Sequence, residues 1–490
     1  MLDRLASPKG LLALGVALVI LGLLRGYPMP YPDDLFFIGA GLELARGGPL
    51  ENPLIQGWMS QFGTHAFFVQ PPFYAYEIAA WVRLWGVSAL SLAAFQAAAL
   101  LVGVFFWCAF LRRLGVRGAM LLVWTAAGLL PAWGTMLPGR AATAFQNVAL
   151  FLLAGGGTEG ALAAGLCLGL AVGTYVGTVA TALPLGAAAL FVGVRGRGGR
   201  AAAKAFAACV AGGLLSVVLL GWGIDWQWGE FVRVFRAHVA LRRPPFLEGL
   251  AIFVRQFVQY GQWLVALPSL LLAAGITAVA VIRRPRSGKA DPLLFVIAAL
   301  FAAMAFNVVL YAQSAALTCE ALMPVAALVA VSLDRQARAF RWGSIVLLFV
   351  VSHVLQFREV FTEVSFARTG VPAETAAAWR ARAERAPVCV VDSNAARYVF
   401  DYRLPPNARD WMYVRPPPGY GWPTQWKAED GAVWIGDRAF LSHVPGSPVP
   451  PLKEEDYFHL GSRRLGVPKR MEIVCIGGEP EAPAPSGGKP

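Results

Sequence analysis

"PDDLFFIGAGLELARGG", residues 32–48, sets two acidic residues side by side just behind a long apolar stretch, in a 490-residue chain where charge is scarce. Only 14% of the residues are charged and 57% are hydrophobic, a balance that belongs to a membrane protein and not to a soluble domain. Asp33 and Asp34 therefore fall where the first apolar stretch, Leu11 to Leu24, ends at a membrane surface. Behind them Phe37, Gly41, Leu44 and Gly48 fit a helix whose apolar face rests on lipid or protein and whose amino end carries the aspartates. The helix dipole favours carboxylates there, so helix capping is one reading of the pair. The other is that one aspartate projects into a cavity at the surface as a general base.

Charge-free apolar stretches recur at Leu90–Leu111, Ala119–Thr135, Ala144–Ala154, Ala161–Val176, Val179–Val194 and Ala205–Trp222 and on to Gln356, and predict about eleven membrane helices, several borrowing flanking residues to reach the roughly 20 that a span needs. The net charge of +13 does not point to nucleic acid, because the cations gather in short clusters between these stretches. Arg112, Arg113 and Arg117 form one cluster, Arg195, Arg197, Arg200 and Lys204 a second, Arg283, Arg284, Arg286 and Lys289 a third, and Arg335, Arg338 and Arg341 a fourth. They fall in every second loop, which places them, with Arg4 and Lys9, in the cytoplasm and the aspartate pair outside. "RGYPMPYP" offers no small-residue cleavage site, so the first helix is expected to stay uncleaved. The same parity makes "PPFYAYEIAAWVRLWG", residues 71–86, a second interfacial helix with Tyr74, Trp81 and Trp85 at headgroup level, inside one external loop spanning residues 26–89.

Past residue 356 the sequence turns Pro-rich and mixed, with strand-like runs at 388–392, 411–414, 432–436 and 472–476. We read residues 1–356 as the membrane domain, 357–478 as a small external α/β domain and 479–490 as a disordered tail. Cys389 and Cys475 both lie in strand-like runs on the oxidising side, where pairing as a disulfide and staying free are both open. The sequence contains no repeat, Walker loop, HExxH or CxxC metal pattern.

"YPDDLFFIGAGLELARGG", followed at a distance by "VQPPFYAYEIAAWVRLWG", resembles the first external loop of the GT-C glycosyltransferases, in the branch of the protein mannosyltransferases and aminoarabinose transferases. In that pattern Asp33 falls on the catalytic Asp, Asp34 on its acidic neighbour, Gly48 on a Gly, and Pro71 and Pro72 on a Pro-Pro motif. The resemblance implies an all-α polytopic GT-C-like membrane protein with external interfacial helices and the α/β tail seen in some members. It also implies an inverting transfer of sugar from a polyprenyl-phosphate carrier to an unknown glycan, lipid or protein acceptor. Such a step needs one base for the acceptor, and a second carboxylate alongside makes a carboxylate a better base.

The departing phosphate asks for cations. The second external loop, 223–262, carries Arg233, Arg236, Arg242, Arg243 and Arg255 against the orientation rule, and Arg242 or Arg243 is the candidate for the phosphate, with Arg140 in a smaller loop as another. The alternative is that these arginines snorkel to lipid headgroups. The chain departs from the family at three places. Val69 and Gln70 stand where relatives have an acidic-basic pair, Glu320 in "EALMP" stands where a phosphate-binding Arg is expected, and no Asp follows Arg140. Gln70, Glu320 and His65 are expected to shape the pocket. A metal held by Asp33, Asp34 and His65 is conceivable, but the branch resembled works without one, and no cofactor is expected. Two other classes compete: a transporter or flippase, for which Pro184 inside an apolar stretch hints at a broken helix, and a non-catalytic assembly subunit, which Gln70 and Glu320 would suit. The Arg/Ala/Gly-rich usage suits a bacterial inner membrane, with the site and the C-terminal domain facing the periplasm.

Overall fold

The computed structural model describes residues 34–55, 67–114, 138–194, 197–242, 370–411, 431–442, 447–450, 457–460, 463–468 and 471–477, with a few isolated positions besides. The chain divides into two compact units, one from residues 1–28, 67–77 and 93–361 and the other from 29–66, 78–92 and 362–490.

In the first unit the apolar stretches form helices close to where their composition places them: α3 (Ala89–Arg113), α4 (Gly139–Leu153), α5 (Thr158–Thr174), α6 (Val179–Val194), α7 (Gly199–Gly223) and α8 (Trp228–Arg242). Among the described residues α3 and α7 are long and apolar enough to cross a membrane, and α5 and α6 are apolar but shorter. Phe206, Val210, Leu214, Leu215, Val218 and Trp222 of α7, with Leu183 and Phe191 of α6, are exposed, an apolar surface suited to lipid. The spans expected at Leu11–Leu24, at Ala119–Thr135 and beyond residue 262 lie outside the described residues. α6 runs unbroken through Pro184, so the broken helix that a transporter would want is not formed there.

Small residues bring α5 and α7 into backbone contact. A Cβ on Gly165 would collide with the Cys209 carbonyl, one on Gly212 with the Leu162 carbonyl, and one on Gly169 with the Ser216 side chain. Loops assigned to one side of the membrane also meet at one end of this bundle. Arg113 Nη1 donates to Phe151 O at 2.5 Å, and its guanidinium sits 3.6 Å over the Phe151 ring. Arg197 donates to the carbonyls of Gly155 and Gly156. At the opposite end of these helices, the Tyr76 hydroxyl donates to Gly223 O at 2.8 Å and Thr174 Oγ1 to Glu77 Oε1 at 2.6 Å. The alternation of cations in the sequence is thus the alternation of helix ends.

The second unit holds α1 (Asp34–Ala45), a 3-10 turn at Pro53–Ile55 and the C-terminal α/β domain. Strands β1 (Cys389–Val391), β2 (Ala408–Asp410), β3 (Val433–Asp437) and β6 (Ile473–Gly477) form a sheet in the order β2-β1-β3-β6. β1 is parallel to both β2 and β3, and β6 is antiparallel to β3. β1 and β3 are buried along their whole length, as central strands covered on both faces must be, which is why they read as continuous apolar runs. β4 (Tyr457–Leu460) and β5 (Arg463–Pro468) form a separate hairpin, and helices α9 (Ala373–Arg385), α10 (Ser393–Tyr398) and α11 (Arg438–Leu441) complete the domain.

One expectation for this domain is corrected, and one open alternative is decided. Of the run expected at 411–414 only Trp411 is among the described residues, and it is not in the strand: pairing with β1 ends where Val391 meets Asp410, and Trp411 leaves the sheet to stack on Phe440 with ring centroids 5.4 Å apart. Cys389 and Cys475 are both free thiols. They lie on β1 and β6 with β3 between them, and two strand spacings amount to roughly 10 Å, beyond the reach of a disulfide.

Candidate functional site

α1 is buried on every side from Asp34 to Leu42, not along a single stripe, so this helix is enclosed by protein where the sequence allowed it to rest on lipid. Asn52 holds its first turns: Nδ2 donates to Leu35 O at 3.2 Å and to Phe36 O at 3.0 Å, while Oδ1 accepts from Leu54 N at 3.1 Å. The Asn52 side chain fills the space that a Cβ on Gly39 would occupy, which is why a glycine stands there. At the other end Arg83 of α2 (Phe73–Trp85) donates to Leu44 O at 2.5 Å, supplying a cation where the helix carbonyls are unpaired. Asp34 is the first residue of α1 and has no exposed surface.

The α/β domain reaches this helix through one corner. Asp401 and Tyr402 are consecutive non-glycine residues at φ +51° and +59°, a conformation that costs free energy and persists only where the surroundings hold it. Tyr402 N donates to Ala396 O at 2.7 Å. Ala89 N, in the first turn of α3, donates to Asp401 Oδ1 at 2.7 Å, and Arg403 Nε donates to Val87 O at 3.2 Å. Tyr402 is wholly buried, and its phenol is held well above the usual range, first by burial and then by the Asp34 carboxylate nearby.

In the first unit a polar group gathers behind the Pro-Pro motif. Tyr74, expected at headgroup level, is buried instead, and its hydroxyl accepts from Gln96 Nε2 at 2.7 Å. Trp81, in the part of α2 that belongs to the second unit, donates to Ser91 O at 2.9 Å, and Trp85 is exposed as expected of an interfacial residue. Glu77 carries a buried carboxyl whose pKa is pushed up to about 8 by burial, with the Thr174 hydroxyl bond opposing the rise. Its Oε2 and the Oε1 of buried Gln70 have no hydrogen-bond partner among the described residues.

The raised Glu77 pKa has a definite sign in stability. The folded form keeps its proton to about pH 8 while the unfolded chain releases it near the ordinary value of 4.5, so this group disfavours folding increasingly as pH rises between those two values. Glu77→Gln is expected to raise the thermal midpoint at pH 8 and leave it nearly unchanged at pH 4.5. Thermal unfolding at the two pH values checks this, and an equal effect at both would refute it.

Asp33, His65, Arg243 and Glu320 lie outside the described residues, and Arg242 is placed only as the last residue of α8. Asp34 belongs to the second unit; Gln70 is in the first, with Arg140 in the opening turn of α4. Arg233, one of the arginines of the 223–262 segment, is paired with Glu230 at 2.6 Å.

Compared with solved structures, the chain matches the crystal structure of ArnT from Cupriavidus metallidurans bound to undecaprenyl phosphate, with a TM-score of 0.54 over 96% of this chain and 98% of that one. The chain shares the ArnT fold. Identity to ArnT is 15%, so the likeness is one of fold, and it spans nearly the whole of both chains, helical part and C-terminal domain alike. Neither family models nor curated proteins gave a match. The fold expected from the Asp-Asp and Pro-Pro motifs agrees with the one the chain shares with ArnT.

Asn52, Glu77 and Tyr402 join the sequence-derived candidates only in the folded chain. Glu77 had a signal, being the lone carboxylate in the apolar run "PPFYAYEIAAW". Tyr402 had none, since its neighbour Asp34 is hundreds of residues away in sequence.

Proposed function

We propose that the chain is an inverting GT-C glycosyltransferase that moves a sugar from a polyprenyl-phosphate carrier to a hydroxyl or amine acceptor, at the periplasmic face of a bacterial inner membrane. The observation that carries this reading is the fold shared over nearly the full chain with ArnT, a protein crystallised with undecaprenyl phosphate. Asp33 takes the acceptor proton as the acceptor attacks the anomeric carbon. The bond from that carbon to the carrier phosphate breaks, and the phosphate leaves with the electron pair. Asp34 stands beside the base at the start of α1. Arg242, Arg243 and Arg140 are the cations proposed for the phosphate, and His65, Gln70 and Glu320 shape the pocket. No step uses a metal.

Purified protein given a panel of polyprenyl-phosphate sugars is expected to consume one of them, followed by mass spectrometry, at a rate unchanged by a chelator. A donor lost only when manganese is supplied would overturn the metal-free mechanism. Consumption of none by folded protein would favour the second reading, a partner-dependent or non-catalytic subunit. That reading has its own support, since buried Gln70 is neutral where the resembled branch has a basic residue.

A further inference from the structure

The Pro-Pro end of α2 is fastened to three helices of the first unit. Gln96 Nε2 of α3 donates to the Tyr74 hydroxyl at 2.7 Å, the Thr174 hydroxyl of α5 donates to Glu77 Oε1 at 2.6 Å, and the Tyr76 hydroxyl donates to Gly223 O of α7 at 2.8 Å. The packing around these bonds is tight: a Cβ on Gly173 would collide with the Phe73 ring, and one on Gly223 would press on Tyr76 and Pro72. Of the three bonds, only the one at Glu77 involves an acid, and its surroundings suit the neutral form. Oε1 accepts one hydrogen bond and Oε2 is sealed without a partner among the described residues, whereas a buried carboxylate needs several donors to be stable. Thr174 ends α5 and Gly223 ends α7, and the carbonyls at the carboxyl end of a helix repel an anion. Glu77 is the fifth residue of α2, beyond the first turn in which that helix's own dipole would favour one. The described neighbours offer no cation. α5 brings Gly173 and Thr174, α3 brings Gln96 to Tyr74, and α7 brings Gly223, with the Asp225 carboxylate after it acting on Tyr76. Arg83, the cation of α2 itself, is engaged at Leu44 O.

We infer that Glu77 is a positioning residue: as a neutral acid it clasps the Pro-Pro end of α2 to the end of α5, and on giving up its proton it lets go. Gln70, proposed above to shape the pocket, immediately precedes Pro71 and Pro72, so the seat of α2 fixes where that residue stands. A proton lost to water leaves a buried carboxylate with one donor, and the favourable course is for the carboxylate to move out to solvent, drawing the first turns of α2 away from α5. The direction of the effect follows from the raised pKa. An undocked Glu77 ionises near 4.5 and a docked one near 8, so the clasp weakens across that interval and no further above it. For turnover the consequence is an alkaline limb governed by Glu77, opposite to the acid limb expected of a base such as Asp33, and this part of the inference rests on the transferase reading.

Hydrogen exchange on the full chain in detergent, read by mass spectrometry and corrected for the intrinsic pH dependence of exchange, tests the clasp without any substrate. In the wild type, opening of α2 peptides is expected to rise by about tenfold or more between pH 5 and pH 8, well beyond any change in α7 peptides. Glu77→Gln keeps an acceptor for Thr174 and cannot ionise, so its α2 peptides are expected to stay level over the same range. The wild type at pH 6 is also expected to show the infrared carbonyl band of a protonated carboxyl that Glu77→Gln lacks. No rise in the wild type, the same rise in the variant, a rise matched by α7, or the absence of that band would each overturn the clasp. Donor consumption on the same preparations separates the two ideas. A clasp that opens with pH in a chain that consumes no donor sinks the transferase and stands by itself. Where donor is consumed, Glu77→Gln is expected to outpace the wild type several-fold at pH 8.5, and identical pH–rate profiles would remove the positioning role.

Discussion

Asp33→Asn is expected to slow donor consumption by about 10²- to 10⁴-fold, the range for loss of a positioned general base, with no change in thermal midpoint. The amide keeps the size and polarity of the carboxylate but cannot take a proton from the acceptor. The companion variant Asp34→Asn has a different signature. Asp34 is fully buried in the first turn of α1, where the helix dipole stabilises a carboxylate by about 0.3–1 kcal/mol and by about 2 kcal/mol in the most favourable settings. Its loss should therefore lower stability as well as turnover. Initial rates by mass spectrometry and thermal midpoints on both variants decide the assignment. If Asp33→Asn retains wild-type rates while Asp34→Asn is inactive, the base is Asp34.

The second large effect concerns assembly. Gly165→Leu and Gly212→Leu are each expected to abolish the compact membrane domain, seen as loss of a single symmetrical peak on size-exclusion chromatography in detergent. Overpacking a core costs about 1–3 kcal/mol when side chains can give way. Here the colliding atoms are the backbone carbonyls of Cys209 and Leu162, which cannot move without displacing a helix. Gly213→Ala is the control, since a Cβ there meets nothing among the described residues and alanine is preferred to glycine within a helix by roughly 0.5–1 kcal/mol. A normal elution profile for both leucine variants would show that α5 and α7 do not pack through these glycines.

Much of the first unit was legible because a bilayer imposes a simple rule on sequence: backbone groups must be bonded within the segment, so spans appear as helices of apolar residues bounded by charge. α3, α6 and α7 accordingly lie within a few residues of the stretches at Leu90–Leu111, Val179–Val194 and Ala205–Trp222. The cation clusters carried the order of the helix ends, and Arg113 and Arg197 both bond carbonyls at the end of α4. β1 and β3 were readable as apolar runs for a related reason, burial on the sheet.

What local pattern cannot carry is a contact made across the chain. Neither a period of 3.6 nor one of 2 says that Asn52 will enclose α1, that Asp401 will accept from Ala89, or that β3 will pass between two cysteines. The sequence by itself determined the membrane class, the approximate place of the described apolar helices and the acid-headed helix, since each follows from the local chemistry of one segment in its solvent. The burial of Asp34, the raised pKa of Glu77 and the placing of Tyr402 near Asp34 were decided only by tertiary structure, because desolvation and charge proximity depend on which distant segments pack together.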